Sequence, residues 1–231
     1  MKILLAAINA KYIHSNLAVY SLKAYAKEFA KHIVIGEYTI NHRADYILEQ
    51  IYKQKPDVLC FSCYIWNIDY VKNLIREFHK LCPEVPIWLG GPEVSFEAED
   101  FRKIYPEVTG IMRGEGEKKF YALCQYYING IGNLEALQEW ESPMNMSEIP
   151  FCYEEIGDFK NRIIYYESSR GCPFNCSYCL SSIDKKLRFR DLELVKKELT
   201  FFIEKEVPQV KFVDRTFNCQ HEHAMAIWQF I

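Results

Sequence analysis

Short apolar segments alternate with longer amphipathic segments over the first 130 residues or so of the chain. The run "KILLAAI" (2–8) is apolar almost throughout, which predicts a parallel strand that is buried on both faces. Four later runs share this character: "HIVIGEY" (32–38), "PDVLCFS" (56–62), "VPIWLGG" (85–91) and "EVTGIMR" (107–113). Five such strands with helices between them predict an α/β fold, a doubly wound parallel sheet of the Rossmann or flavodoxin type.

The segments between the strands carry helical signals. One helix is predicted from Asn16 to Ala30, and another begins at Pro92, a residue suited to the first helical position. Helical spacing of apolar residues predicts two more helices. Their apolar faces comprise Tyr70, Val71, Leu74, Phe78 and Leu81 in one, and Phe120, Leu123, Cys124 and Tyr127 in the other, which covers 114–127.

The stretch 129–161 is rich in turn-forming residues and has no sustained period, which is typical of a linker. Alternation then resumes with a strand at 162–169, a helix from Asp191 to about Glu206, a strand at 209–214 and a helix that begins near His221. The sequence therefore predicts a first domain over 1–128, a linker over 129–161, and the start of a second domain over 162–231.

Composition excludes some classes of protein. A net charge of −3 gives no indication of a nucleic-acid partner, and no apolar run is long enough to span a membrane or resembles a signal peptide. A cytoplasmic location follows, and there the nine cysteines are expected to stay reduced. Five of them are interpreted as buried or half-buried small apolar residues: Cys60, Cys63, Cys82, Cys124 and Cys152.

The other cysteines include a compact group within "SSRGCPFNCSYCLSS" (168–182), where Cys172, Cys176 and Cys179 have the spacing C-x₃-C-x₂-C. Structural zinc usually takes four ligands, so a zinc site would need a distant fourth, such as Cys219. Iron–sulfur clusters also bind thiolates, and most use four. Three thiolates would leave one iron of a [4Fe-4S] cluster open to an external ligand, at the sheet edge where α/β proteins bind ligands.

The motif "CPFNCSYC", with Tyr178 just before the last cysteine, resembles the cluster motif of the radical S-adenosylmethionine (SAM) superfamily. The neighbouring "SSRG", "LRFRDLELVKKEL" and "VKFVDRTFN" resemble that family as well. The resemblance implies that the three cysteines bind a [4Fe-4S] cluster, that the open iron binds SAM, and that Tyr178 lies against its adenine. Asp214 is then a candidate contact to SAM or substrate, with a strand-end aspartate that caps the next turn as the alternative.

The segments "GGPEVSF" (90–96) and "RGEGEKKF" (113–120) resemble the cobalamin-binding domain that precedes the radical SAM barrel in a large subgroup. The candidate cofactor contacts are Gly90, Gly91, Gly114, Glu115, Gly116 and His14. Many cobalamin domains ligate cobalt through the histidine of D-x-H-x-x-G. Here Tyr12 and Leu17 replace the aspartate and the glycine around His14, so His14 is expected to contact the corrinoid or substrate without ligating cobalt.

The resemblance implies a cobalamin-dependent enzyme in which the reduced cluster cleaves SAM to drive methyl transfer, or another radical reaction, on a small-molecule substrate that the sequence does not identify. An external donor such as flavodoxin or ferredoxin would supply the electron. Because only about two units of the family's barrel are present, the 231-residue chain is expected to be inactive alone. Two alternatives stay open: a radical SAM enzyme whose first domain binds no corrinoid, and a non-catalytic zinc or iron–sulfur module.

Overall fold

A computed structural model describes residues 1–154, 156–159, 162–182 and 186–231 of the chain. The chain forms two compact units, Met1–Pro143 and Met144–Ile231. The predicted linker is thus divided, since 129–143 belongs to the first unit. Within the described ranges, no helix combines the length and apolarity that a membrane span requires.

The first unit contains the five-stranded parallel sheet that the apolar runs predict, in the order β2-β1-β3-β4-β5. All seven residues of the first strand are buried, as expected for a strand covered on both faces. This order confirms the doubly wound prediction. The strands are β1 (Ile3–Asn9), β2 (Ile33–Thr39), β3 (Val58–Ser62), β4 (Ile87–Gly90) and β5 (Gly110–Met112).

Helices connect these strands: α1 (Leu17–Tyr25), α2 (Ala44–Gln54), α3 (Ile68–Leu81), α4 (Pro92–Ser95), α5 (Ala98–Ile104) and α6 (Glu117–Cys124). The helix predicted over 16–30 is α-helical only to Tyr25 and continues as a 3₁₀ segment, Lys27–His32. The helix predicted from Pro92 is broken into α4 and α5, and α2 is the helix expected between β2 and β3 to which the sequence pattern assigned no residues. Only Ile47 and Ile51 of α2 are fully buried, so the helix presents a short apolar face that is hard to recognise in the sequence.

Side chains of β1 alternate between two apolar clusters, one on each face of the sheet. Leu4, Ala6 and Ile8 belong to one cluster, and Ile3, Leu5 and Ala7 belong to the other. Such a two-sided core fixes the strands in place, and their carboxyl ends therefore form one edge from which the connecting loops emerge.

The second unit contains two small strand pairs. Strands β6 (Ile164–Tyr166) and β9 (Val210–Phe212) are parallel, whereas β7 (Ser169–Arg170) and β8 (Arg188–Phe189) are antiparallel. Helix α7 (Leu192–Glu204) lies between β8 and β9 in the sequence, and helix α8 (His221–Phe230) follows β9. The β6-α7-β9 unit agrees with the strand–helix–strand order that the sequence predicts for this region.

A buried ion pair connects α7 to the strands of this unit. The Arg190 guanidinium donates to both carboxylate oxygens of Glu198, at 2.9 and 2.5 Å, and the Tyr166 hydroxyl donates to the same carboxylate at 2.6 Å. All three residues are less than 10% exposed. Arg190 also donates to the backbone oxygen of Met146, so the pair is hydrogen-bonded in a way that offsets the cost of burying its charges.

Candidate functional site

The strand order of the first unit defines where a ligand would bind. In a sheet of order 2-1-3-4-5, the connections that leave β1 and β3 turn to opposite faces, and the crevice at their carboxyl ends is the usual ligand position. Here those connections are 10–16 after β1 and 63–67 after β3. The candidate site of this unit therefore lies where these two loops leave adjacent strands.

Glu37 on β2 fixes the loop after β1. Its carboxylate accepts hydrogen bonds from Asn9 Nδ2 at 2.9 Å, from the Asn16 backbone nitrogen at 3.0 Å and from the Tyr20 hydroxyl at 2.5 Å. Asn9 Nδ2 also donates to the backbone oxygen of His14 at 3.0 Å. These contacts hold the half-buried His14 at the edge of the sheet, where the sequence places it.

Asn67 fixes the loop after β3. This fully buried side chain donates from Nδ2 to the backbone oxygens of Ile8 and Ser62, at 3.1 and 2.9 Å. Its Oδ1 accepts from the backbone nitrogen of Tyr64 at 2.8 Å. One amide thereby joins the carboxyl ends of β1 and β3, which keeps the two loops side by side.

The two loops expose large apolar side chains that the sequence reasoning missed. In the loop after β3, Trp66 is 44% exposed and Ile65 is 78% exposed; in the loop after β1, Tyr12 is 62% exposed and Ile13 is 46% exposed. The Trp66 ring stacks on Tyr64, with centroids 4.5 Å apart and planes 5° apart, and Trp66 Nε1 donates to the Ile8 oxygen. An exposed apolar surface on well-anchored loops is typical of a ligand or partner site. We call these four exposed residues the edge patch.

The candidate glycines lie at the same edge, after β4 and β5. Gly91 has φ +113°, and a Cβ there would lie 2.5 Å from the backbone oxygen of Cys63. The missing side chain thus serves close packing of the chain on itself, since Gly91 is where the β3 and β4 loops meet. Gly114, with φ +81°, is exposed, and Glu115 and Gly116 beside it are half-buried.

The second unit carries the three-cysteine loop, which begins directly after β7. Cys172 and Cys179 are half-buried and Cys176 is exposed. The turn into the loop needs a glycine, because Gly171 has φ +95° and a Cβ there would lie 2.5 Å from the Lys186 oxygen. Among the described residues, no three His, Cys, Asp or Glu side chains are gathered as they would be around a metal ion, and the three thiols do not meet at one point.

The five cysteines interpreted as apolar residues are, as a group, more buried than the cysteines of the three-cysteine loop. Cys60, Cys63 and Cys124 are buried, and Cys82 and Cys152 are half-buried. Burial raises the pKa of Cys124 and of Cys152 to about 12, so both are neutral thiols near pH 7. Their environment opposes the thiolate form that metals bind.

Asp214, at the end of β9, anchors the segment that leads into the cysteine loop. Its carboxylate accepts from the Ser168 hydroxyl at 2.8 Å, the Ser169 hydroxyl at 2.5 Å and the Ser168 backbone nitrogen at 3.2 Å. Both serines are almost fully buried. The aspartate therefore connects the segment after β9 to the segment between β6 and the cysteine loop, and a contact to SAM stays a prediction.

His223 of α8 packs against this anchor and makes stability depend on pH. It is 5% exposed, its Nε2 lies 3.4 Å from Ser168 Oγ, and its ring contacts Phe189. Burial lowers its pKa below the ordinary 6.5, an effect that the nearby Asp214 charge opposes. Because the folded state then binds fewer protons than the unfolded state, stability is complete above pH 6.5 and declines as the pH falls below it.

We expect thermal unfolding of the second unit, followed between about pH 5 and pH 8, to lose this acid-dependent decline in His223→Gln. The exposed His221 on the same helix provides the control, and His221→Gln should keep the wild-type dependence. Equal pH dependence in His223→Gln and the wild type would contradict the assignment.

Comparison with known families identifies the first unit. The family model described as "B12 binding domain" matches residues 3–124, which is more than half of the chain. The chain belongs to the B12-binding domain family. All five strands of the sheet fall within the matched residues, as do His14 and the candidate glycines. The three-cysteine loop lies outside the B12-binding domain, in the second unit.

Curated relatives of this B12-binding protein are methyltransferases. The cobalamin-dependent radical SAM methyltransferase TokK of Streptomyces tokunonensis is 25% identical over 209 residues, which are 78% of this chain and 29% of that protein. An uncharacterised methyltransferase of Pyrococcus horikoshii is 30% identical over 203 residues, 78% of this chain and 44% of that protein. The chain thus spans less than half the length of these relatives.

A solved structure has the same fold. OxsB, a cobalamin-dependent SAM radical enzyme solved with aqua-cobalamin and SAM bound, superposes with a TM-score of 0.73 at 18% identity. The superposition covers 98% of this chain and 36% of that one. Together with the family match, these relatives confirm the resemblance to radical SAM proteins that carry a cobalamin-binding domain.

Proposed function

We propose that the chain is part of a cobalamin-dependent radical SAM enzyme, with methyl transfer as the leading reaction class. One observation carries the proposal: a domain of the B12-binding family is followed, in the same chain, by three closely spaced thiols in the loop after β6 and β7. The names of the relatives support methyl transfer but leave the substrate of this chain unidentified.

The residues at the edge of the first sheet fit a corrinoid. The edge patch offers a flat aromatic ring and aliphatic groups at the switch point of the sheet, and a largely apolar macrocycle face gains free energy by covering such a surface. Gly90 would border the cofactor from the end of β4, and the loop after β5 would border it through Gly114, Glu115 and Gly116. His14 would contact it from the loop after β1, without ligating cobalt.

The thiols of Cys172, Cys176 and Cys179 fit a [4Fe-4S] cluster. All three belong to one eight-residue segment, and none of them is fully buried, so the side chains of Cys176 and Cys179 have room to turn toward Cys172. Tyr178 is 92% exposed, so its ring is available to stack on the adenine of SAM. When bound, cluster, SAM and cobalamin together supply reductive SAM cleavage and a transferable methyl group.

The chain's own residues contribute position and shielding. Asp214 holds the segment that precedes Cys172. The loops that carry the edge patch are held by Asn67 and by Glu37. An external flavodoxin or ferredoxin would deliver the electron. Such pre-organised loops bind a cofactor without first losing conformational freedom.

Titration of the chain with hydroxocobalamin tests the first half of the proposal. We expect a saturable change in the visible spectrum, and weaker binding in Trp66→Ala, by about tenfold or more, because burying one aromatic side chain contributes about 1.5–3 kcal/mol. Tyr52→Ala is the matched control, since Tyr52 is 50% exposed but lies in the last turn of α2, away from this edge.

The outcomes separate the alternatives. An unchanged spectrum at all concentrations would favour a radical SAM enzyme whose first domain binds no corrinoid. Equal binding by Trp66→Ala and the wild type would remove the edge patch from the cofactor site.

A further inference from the structure

Thr216 lies beside the first cysteine of the three-cysteine loop. Its Oγ1 is 3.3 Å from Sγ of Cys172, and both residues are half-buried. Cys172 thus has a hydroxyl neighbour inside the unit, whereas Cys176 is exposed. The contact joins the loop after β6 to the loop after β9, two strands that are parallel neighbours.

The backbone around Thr216 is held by contacts that do not involve a metal. Asp214, two residues earlier, is bonded to Ser168 and Ser169, and the backbone oxygen of Thr216 accepts from the Cys219 nitrogen at 3.1 Å. These bonds position the Thr216 backbone next to Cys172, and the β-branched Thr216 side chain has few χ1 rotamers, so presenting its hydroxyl to Cys172 costs little conformational freedom.

We propose that the Thr216 hydroxyl donates a hydrogen bond to the Cys172 thiolate and raises the reduction potential of the cluster; this inference rests on the proposed function. A sulfur bound to iron carries no proton, so in that state the hydroxyl is the donor. One electron from the external donor reduces the cluster from the 2+ to the 1+ state and adds negative charge that its sulfurs share. A donor aimed at one sulfur stabilises the reduced state more than the oxidised state.

Thr216 is on this account a positioning and tuning residue, because it acts through Cys172 and touches no reacting atom. Reductive cleavage of SAM requires the reduced cluster. By raising the reduction potential, the hydroxyl would increase the fraction of the cluster that a given electron donor keeps reduced. A purely structural hydrogen bond would change thermal stability but would leave the potential where it was.

The test is a redox titration of the anaerobically reconstituted chain, followed by electron paramagnetic resonance, for the wild type, Thr216→Val and Thr216→Ser. We expect the Val variant to be harder to reduce, with the reduced-to-oxidised ratio at the wild-type midpoint lowered about fivefold, the factor that corresponds to about 1 kcal/mol for a net hydrogen bond. The Ser variant, which keeps the hydroxyl, should stay near the wild type.

Thr200→Val is the matched control, because the Thr200 hydroxyl bonds within α7, to the Lys196 oxygen, and its loss should leave the potential unchanged. A Val variant that holds its iron at the wild-type potential would overturn the inference. If Thr216→Val assembles no cluster, Thr216→Ala against Thr216→Ser decides by the same readout. Failure of the wild-type chain to bind any cluster would instead reject the proposed function itself.

Discussion

Alanine substitution of any one of Cys172, Cys176 and Cys179 should abolish cluster assembly, reducing the iron content of the reconstituted chain from about four per molecule to near zero. A cubane held by only three protein ligands has none to spare, so each thiolate is needed. The measurement is iron and acid-labile sulfide after anaerobic reconstitution, together with the visible absorption of the brown cluster.

Two other cysteines control this prediction. Cys219→Ala should keep the full iron content, although Cys219 is exposed and follows β9 closely. Cys82→Ala, in the other unit, should do so as well. Loss of metal in Cys219→Ala together with the three motif variants, with zinc in place of iron, would establish a four-thiolate zinc site and contradict the cluster assignment.

The second large effect is expected at the buried ion pair. Glu198→Ala should lower the free energy of unfolding of the second unit by about 3–5 kcal/mol, because it leaves the Arg190 charge buried with no carboxylate partner. Tyr166 also loses the acceptor of its hydroxyl. Hydrogen exchange of the α7 amides in the whole chain reports this unit separately from the B12-binding domain.

The control is an exposed pair on the same helix. Glu193 forms a salt bridge with Lys196 at 2.8 Å, and its side chain is 80% exposed, so Glu193→Ala should cost no more than about 1 kcal/mol. If Glu198→Ala proved as mild as Glu193→Ala, the buried pair would contribute no more than a surface pair, against this account.

Strands were predictable because their signal is local. The run 2–8 is apolar at almost every position, so it has no polar face of helical spacing and indicates a strand covered on both faces. The position of helix α2 was missed because its two fully buried residues, Ile47 and Ile51, span only one helical turn, too short a stretch to show a helical period. The helix after Pro92 was predicted as continuous, but it divides between Ser95 and Ala98, where no proline or glycine gives a signal.

The candidate site was predictable only where its residues form a recognisable sequence motif. The cysteine spacing and the paired glycines are read directly from the sequence, whereas the edge patch depends on which loops the topology brings together. Trp66 follows an apolar strand and looks like part of its continuation, yet Asn67 turns the chain and leaves the ring exposed. The Asp214 anchor and the Thr216 contact join residues more than forty positions apart, which no local pattern encodes.

The central claim is that one iron of a three-cysteine cluster stays open to SAM. The most direct measurement is electron–nuclear double resonance of the reduced, reconstituted chain with SAM isotopically labelled in its carboxylate oxygens. We predict hyperfine coupling from the label, because the open iron binds the carboxylate. A reduced cluster whose spectrum is unaltered by SAM, with no coupling to the label, would contradict it.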